Sequence, residues 1–302
     1  MQPFSKTAKK ISLKISVVAL LGPFPLFAEV SGYLGASATV SHWQMGLASG
    51  KTVQMFGKDF QTNKPDPFLY MAGISTSFVW NKTWALSYQG EGGVSYPLIS
   101  LTRESVESSG PVKTSVTLDT KIFRTDHNLA ISRTIGTSGV SVFFGAKLQW
   151  FRYSEPSAPL VEITTTGTRN NTVSFRQTML SYGPAVGVVY NARLYKKVFT
   201  SFQGGLIYFP GQYSAEATTP NGVNSARENY YGLGFTSLIS IAIPLGEQMF
   251  FQFAAKGQYY RIQTLTAVAT EPGKAEQSAA GTLNGVNDIL IGLQAAIIYR
   301  MF

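Results

Sequence analysis

Hydrophobic and polar residues alternate with a period of two along most of the chain after residue 29. Between Thr83 and Tyr96, for example, Trp84, Leu86 and Tyr88 alternate with Ala85, Ser87 and Gln89. Successive side chains of a strand point to opposite faces, so this pattern is typical of a strand with one apolar face. It predicts ten strands, at about 30–42, 68–80, 83–96, 120–135, 139–153, 176–190, 197–209, 231–243, 249–263 and 288–302.

The connections between these segments alternate between short and long. Four short turns are predicted at 81–82, 136–139, 191–197 and 244–248, and five long connections at 43–67, 97–119, 154–175, 210–229 and 264–287. This alternation is typical of an up-and-down antiparallel barrel with both termini at the short-turn end. Ten strands is the predicted count and twelve is the alternative. Two long connections keep the alternation and are predicted to project as hairpins, the third long connection turning at 169–171.

Aromatic residues near both ends of the apolar faces indicate that the barrel crosses a membrane. Tilted strands of about ten residues rise roughly 25 Å, the height of the apolar band of a membrane barrel, and rings of aromatic residues flank that band. The opposite faces carry Gly, Ser, Thr, Ala and Gln, which suit a lumen and are too weakly charged for a soluble surface. The predicted aromatic girdle consists of Trp80, Trp84, Tyr96, Trp150, Tyr208, Tyr231 and Tyr259.

The first 28 residues resemble a secretory signal peptide. Four lysines precede an apolar stretch from Ile15 to Phe27, and Ala28 offers a small residue for cleavage. The predicted organisation is therefore a signal peptide at 1–28, removed on export, and a barrel at 29–302. The formal net charge of +9 owes four units to those lysines, and the absence of Cys excludes a lipoprotein.

The last strand carries the most specific likeness to a known class. The chain ends in an amphipathic strand with Tyr299 and a terminal Phe302, the kind of ending that insertion machinery reads, although Phe302 is out of phase with the odd-numbered apolar face. Over 29–302 the chain resembles bacterial outer-membrane β-barrels. The resemblance implies a location in the outer membrane of a diderm bacterium, with its lipid and insertion machinery as partners.

Charged and amide side chains of the polar faces fall at one height above the short turns. One interpretation is a constriction that selects solutes in a pore. The other is a satisfied network that fills a narrow barrel, because unpaired buried charges are costly. The predicted layer consists of Glu91, Arg124, Asp126, Lys147, Gln149, Lys256, Gln258 and Gln294.

Few residues could support catalysis. The only histidines are His42 and His127, and His127 must point away from any lumen into which Asp126 points. No metal site or cofactor is predicted, and the net negative charge of the long connections argues against nucleic acid as a partner. The predicted function is a non-enzymatic barrel that presents surface loops for a possible extracellular ligand or contributes to the envelope. A narrow porin-like channel for small polar solutes is the alternative, and an outer-membrane hydrolase is a minor one.

Overall fold

A computed structural model describes residues 30–45, 53–55, 58–62, 68–96, 98–107, 110–119, 121–195, 197–219, 222–279, 281 and 283–302. The predicted signal peptide lies outside these residues. No helix in the described part is long and apolar enough to span a membrane. The strands are β1 (Val30–Met45), β2 (Val53–Met55), β3 (Lys58–Thr62), β4 (Phe68–Trp80), β5 (Trp84–Ser95), β6 (Leu98–Glu107), β7 (Gly110–Asp119), β8 (Lys121–Thr134), β9 (Val140–Thr164), β10 (Gly167–Tyr195), β11 (Val198–Thr219), β12 (Gly222–Pro244), β13 (Met249–Thr270), β14 (Gln277–Ser278) and β15 (Asn287–Arg300).

Ten of these strands close into an antiparallel ring, as the alternation predicts. Their order is β1, β4, β5, β8, β9, β10, β11, β12, β13 and β15, and β15 pairs with β1 to complete the barrel. Main-chain bonds between Gly32 and both Met301 and Phe302 extend this pairing to the end of the chain. Closure leaves no strand edge unpaired within the ring, which is the condition for a sheet to cross a bilayer.

The short turns all lie at one end of the barrel, here called the turn end, and the opposite end is called the outer end. Asn81 and Lys82 adopt positive φ angles of 53° and 56°. Two such residues form a type I′ turn, whose twist matches that of the flanking strands. Gly139, at φ 72°, provides the same freedom in the next turn.

Several segments predicted as long connections are continuous strand. β9, β10, β11 and β12 each have 22 or more residues and extend well beyond the outer aromatic residues. The turn predicted at 169–171 lies instead at Thr165 and Thr166, where Gly167 adopts a φ of 146° and Thr164 Oγ1 donates a hydrogen bond to the Gly167 carbonyl. The polar composition of these segments comes mainly from their outward faces, whereas inward residues such as Val173, Phe175 and Ala217 are buried.

A hairpin extends the sheet of the ring at the outer end. The β6–β7 hairpin pairs with the distal part of β9, from Lys113 opposite Ile163 to Val116 opposite Leu160, and β3 pairs with β6. Val112, Val116 and Leu160 are buried between these strands. The hairpin and the distal parts of the long ring strands therefore form a packed β-structure at the outer end, here called the outer β-structure.

The terminal phenylalanine lies against the first strand. A Cβ atom at Gly32 would come within 2.7 Å of Phe302 Cζ. Gly32 has the same parity as Leu34 and Ala36, which are exposed on the outer wall. Phe302 follows the last strand residue, Arg300, by two positions, so its ring bends to the outer face although its number has the inward parity.

The outer wall of the ring faces lipid, and its assignment can be tested at Ile239. This side chain is 53% exposed about midway along the membrane-facing part of β12. We expect Ile239→Lys to lower the free energy of unfolding in phospholipid vesicles by about 2–4 kcal/mol, because a lysine near the bilayer midplane is poorly solvated. Denaturant titration of the refolded protein measures this change.

Gln203→Lys is the matched control for this substitution. Gln203 lies on β11 opposite Leu238, at nearly the same level, but lines the lumen. Gln203→Lys should lower the free energy of unfolding by less than about 1 kcal/mol, as ordinary surface substitutions do. Equal losses for the two variants would contradict the assignment of faces.

Candidate functional site in the barrel lumen

The eight residues of the predicted polar layer all point into the lumen. Seven are at most 7% exposed and the Lys256 side chain is 13% exposed. They come from five strands of the ring, and each occupies an inward position because it shares the parity of buried neighbours on its strand. Burial of so many polar groups requires that they bond to one another.

Glu91 is the centre of one half of the layer. It forms an ion pair with Lys256 and accepts hydrogen bonds from Thr39 Oγ1 at 3.2 Å and Gln89 Nε2 at 3.2 Å. Gln294 Nε2 also donates to it. Strands β1, β5, β13 and β15 are thus tied together across the lumen by one carboxylate.

Arg124 and Asp126 form the other half. Arg124 Nε lies 3.2 Å from Asp126 Oδ2, and Gln149 Nε2 donates to Asp126 Oδ1 at 2.7 Å. Tyr260 OH donates to Gln149 Oε1 at 2.5 Å. Lys147 Nζ donates to Gln258 Oε1 on the facing wall. The layer is therefore cross-linked from β8 and β9 to β13.

Asp288 and Trp43 belong to the same network, although the sequence analysis did not include them. Arg124 Nη1 lies 3.7 Å from Asp288 Oδ1, and Trp43 Nε1 donates to Asp288 Oδ2 at 3.0 Å. The Arg124 guanidinium also lies 4.7 Å from the centroid of the Trp43 ring, within range of a cation–π interaction. Asp288 has the same inward parity as Gln294 on β15, a signal that could have identified it.

An apolar plug closes the lumen on the outer side of the polar layer. Its members are at most 2% exposed and include Phe209 in edge-to-face contact with Tyr260, with ring centroids 5.5 Å apart, and Trp43 in edge-to-face contact with Phe151 at 4.9 Å. The channel interpretation requires open space on both sides of the layer, and on this side large buried side chains occupy the lumen. The plug consists of Trp43, Leu69, Ile122, Phe151, Phe209, Tyr260 and Ile262.

Aromatic doublets in the sequence mark the plug. Trp150-Phe151, Tyr208-Phe209 and Tyr259-Tyr260 each place one ring outward and the next ring inward. The outward member of each belongs to the predicted girdle, and the inward member to the plug. Where two large rings are adjacent in sequence, the inward and outward positions are equally apolar. The period of two therefore does not show which ring points into the lumen.

A cavity of about 430 Å³ lies on the turn side of the polar layer. Its wall carries small polar side chains such as Ser75, Ser87 and Thr236, which leave the lumen partly unfilled there. Glu91, Lys147, Asp126 and Lys256 line its outer end. The structure thus leaves space in the half of the lumen nearer the termini.

The seven girdle residues all have outward parity and lie at both ends of the membrane-facing wall. Neighbouring rings contact one another, such as Tyr208 with Tyr231 at a centroid distance of 6.1 Å. Tyr299 also faces outward, and its hydroxyl donates to Gln248 Oε1 at 2.8 Å in a short turn.

Both histidines lie on the outer wall. His42 packs edge-to-face against Phe68, with ring centroids 5.3 Å apart, and Nδ1 of His127 lies 2.9 Å from Tyr88 OH. Neither imidazole reaches the lumen. Within the described residues no group of three or more His, Cys, Asp or Glu side chains could hold a metal ion.

Comparison with solved structures identifies the architecture. The outer membrane protease OmpT from Escherichia coli matches with a TM-score of 0.53 and 13% identity, over 92% of this chain and 99% of that chain. The fold is that of a bacterial outer-membrane β-barrel. No protein-family model matches the chain, and no curated protein matches it in sequence.

Other outer-membrane barrels match at lower similarity. The β domain of the Bordetella autotransporter Brka has a TM-score of 0.33 and 15% identity, over 89% of this chain and 98% of that chain. The CymD monoaromatic hydrocarbon channel has a TM-score of 0.38 and 7% identity, over 89% and 88%. These two similarities are too low to carry an argument, and the likeness to OmpT establishes the fold alone.

Proposed function

We propose that this protein acts without catalysis, as a closed outer-membrane barrel that presents its outer β-structure for binding an extracellular ligand. The closed lumen carries the proposal. A cross-linked ionic layer and an apolar plug lie in series across the barrel, and both are built from large buried side chains. Water and ions need a continuous polar path, which close-packed aromatic rings do not offer.

The outer β-structure supports a binding role. From Tyr208 to Thr219, β11 continues for about ten residues beyond the outer aromatics, or roughly 33 Å of strand at about 3.3 Å per residue. Apolar side chains are exposed on the outer β-structure. Val106 on β6 is 84% exposed, Ile163 on β9 is 49% exposed and Val223 on β12 is 47% exposed. We infer that these three side chains are the apolar anchors of the ligand-binding surface.

The positions of the histidines favour a binding protein over a hydrolase. General-base catalysis most often uses an imidazole within hydrogen-bond reach of the reacting group. His42 and His127 are both held on the outer wall by aromatic partners. Neither could act on a substrate held in the lumen or between the hairpins.

One observation favours a narrow channel as the second candidate. The cavity on the turn side could admit a small polar solute as far as Lys147 and Lys256. Passage would then require the plug to move. We rank this function below the first because the cavity ends at the network and the plug.

Single-channel recording in a planar bilayer distinguishes the two candidates. The refolded protein and a Lys147→Ala, Lys256→Ala variant should both be silent, because the plug remains in each. Folding is verified beforehand by heat-modifiable mobility on gels. Steady conductance of the unaltered protein, with a selectivity that changes in the variant, would establish the channel instead.

Cell adhesion tests the binding role itself. Cells that express the protein should bind components of an array of immobilised glycans and extracellular-matrix proteins. Val106→Ser, Ile163→Ser and Val223→Ser together should reduce that binding by about tenfold or more, since apolar anchors dominate such interfaces. The matched control is Leu245→Ser, an apolar residue 60% exposed at the turn end. Equal adhesion of the triple variant and the control would refute the assigned surface.

A further inference from the structure

Three cations form a cluster on the outer wall of the barrel. Lys121 on β8, Arg152 on β9 and Arg176 on β10 each alternate with buried inward residues, so their side chains point outward. Register brings them together, because Ser154 lies opposite both Lys121 and Arg176. Arg152 is two residues from Ser154 along β9, so it is a diagonal neighbour of both Lys121 and Arg176, at about 7–8 Å. Lys121 and Arg176 lie on either side of β9, about 10 Å apart.

The cluster lies at the level where the outer aromatics end. Lys121 Nζ is 6.0 Å from the centroid of the Tyr96 ring. Directly on the membrane side of Arg152, Trp150 packs edge-to-face on Phe123, with ring centroids 5.4 Å apart. Aromatic belts mark the interface between hydrocarbon and headgroups, so the cations lie in the headgroup layer.

Protein carboxylates do not neutralise this cluster. Among the residues that the structure describes, none of the three cations forms an ion pair. Glu216 lies opposite Arg176 on β11, and beyond it Arg227 on β12 adds a further exposed cation. On this wall the four cations Lys121, Arg152, Arg176 and Arg227 outnumber the acids Glu216 and Glu276. The wall therefore has a net positive charge that anionic headgroups can neutralise.

A groove of about 740 Å³ adjoins the cluster on the same wall. Trp150 and Leu180 line its membrane side, whereas Thr178, Ser214 and Asn229 line it further out. The groove is thus apolar where acyl chains would run and rich in hydrogen-bonding groups where a sugar would lie. Arg227 lies at its far side.

We propose that the outer wall of β8–β12 binds a phosphorylated glycolipid of the outer leaflet. Its phosphates contact Lys121, Arg152 and Arg176, its sugars contact Thr178, Ser214 and Asn229, and its acyl chains pack on Trp150 and Leu180. Arginine suits phosphate because its planar fork donates two parallel hydrogen bonds. The source of the phosphate is a lipid, since the apolar floor of the groove continues into the membrane-facing wall.

Binding of lipopolysaccharide by the full-length mature chain tests the proposal. The site variant carries Lys121→Ser, Arg152→Ser and Arg176→Ser. The control variant carries Arg169→Ser, Lys197→Ser and Lys274→Ser, which removes the same charge from exposed positions at the two ends of the molecule. Retained glycolipid is counted by native mass spectrometry, and affinity is measured in detergent micelles.

The unaltered protein and the control variant should retain lipopolysaccharide, and the site variant should lose about a hundredfold in affinity, since each of the three cations near an anionic surface contributes about fivefold. Dephosphorylated lipopolysaccharide should bind weakly to all three proteins. Inorganic phosphate at millimolar concentration should not compete. Equal affinity of the site and control variants, or equal binding of the dephosphorylated lipid, would overturn the proposal.

Full competition by inorganic phosphate would also overturn the proposal, by showing a site for the free anion.

If the site variant does not fold, Arg176→Ser alone replaces it, because one substitution at an exposed position perturbs the barrel least. That single variant should lose several-fold in affinity, and unchanged affinity would count against the proposal. The outcome is independent of the proposed ligand-binding role, because the site uses neither the lumen nor the exposed apolar residues of the hairpins.

Discussion

Replacing Arg124 by methionine should lower the free energy of unfolding by about 3–5 kcal/mol. Arg124 is fully buried, and its removal leaves the Asp126 and Asp288 carboxylates in the lumen without their cation. Desolvated charges without a partner are among the most costly groups in a folded protein. Denaturant titration at neutral pH in phospholipid vesicles measures the loss.

The control removes the two carboxylates together with the cation. In Arg124→Met, Asp126→Asn, Asp288→Asn, no charge of this half of the layer remains, and stability should return to within about 1–2 kcal/mol of the unaltered protein. Replacing a whole buried ion cluster by neutral groups of similar volume is often close to neutral. If the single and triple variants were equally unstable, lost packing rather than unpaired charge would be the cause.

Replacing Phe209 by alanine should cost a similar amount, about 3–5 kcal/mol. The ring is fully buried in the plug, against Tyr260 on one side and 5.9 Å from Lys147 Nζ on another. Its removal creates a cavity that the barrel cannot close, because each plug residue is anchored to a strand held by main-chain bonds on both sides. The same unfolding titration measures the change.

Phe209→Leu provides the matched control, because leucine keeps much of the volume. It should cost less than about 1.5 kcal/mol, as swaps that nearly conserve volume do. A loss below about 1 kcal/mol for Phe209→Ala would contradict a close-packed plug and would make the channel function more attractive.

The ionic layer and the plug solve different physical problems. The layer pairs opposite charges where the open half of the lumen ends, and the plug excludes water on the outer side. A ten-stranded ring is only slightly wider than an eight-stranded one, which side chains can fill. Large inward rings at the outer end and paired charges next to them are therefore enough to close it.

Much of the architecture follows from the chain alone. Alternation with a period of two predicts the ring strands and their faces, because a shift of one residue would expose every apolar side chain to the lumen. The same register assigns Glu91, Asp126 and Lys147 inward positions. The alternation of short and long connections predicts that the termini and the short turns lie at the same end of the barrel.

The distal strands show where a local pattern is insufficient. Residues 154–175 and 210–229 are rich in Ser, Thr, Gly and Asn, which favour loops, yet they extend β9 to β12. Pairing with neighbouring strands over many residues outweighs these weak local preferences. The turn at Thr165 and Thr166 follows from the register of β9 and β10 rather than from the more turn-like Asn170-Asn171.

The barrel, its apolar faces and the inward positions of its charged residues can all be predicted from the chain, because these properties depend on positions along single strands. The contacts of Asp288 and Trp43 with the network, the aromatic plug, and the clustering of Lys121, Arg152 and Arg176 become visible in the folded barrel. Each of these features depends on the stagger of neighbouring strands, which no single strand encodes.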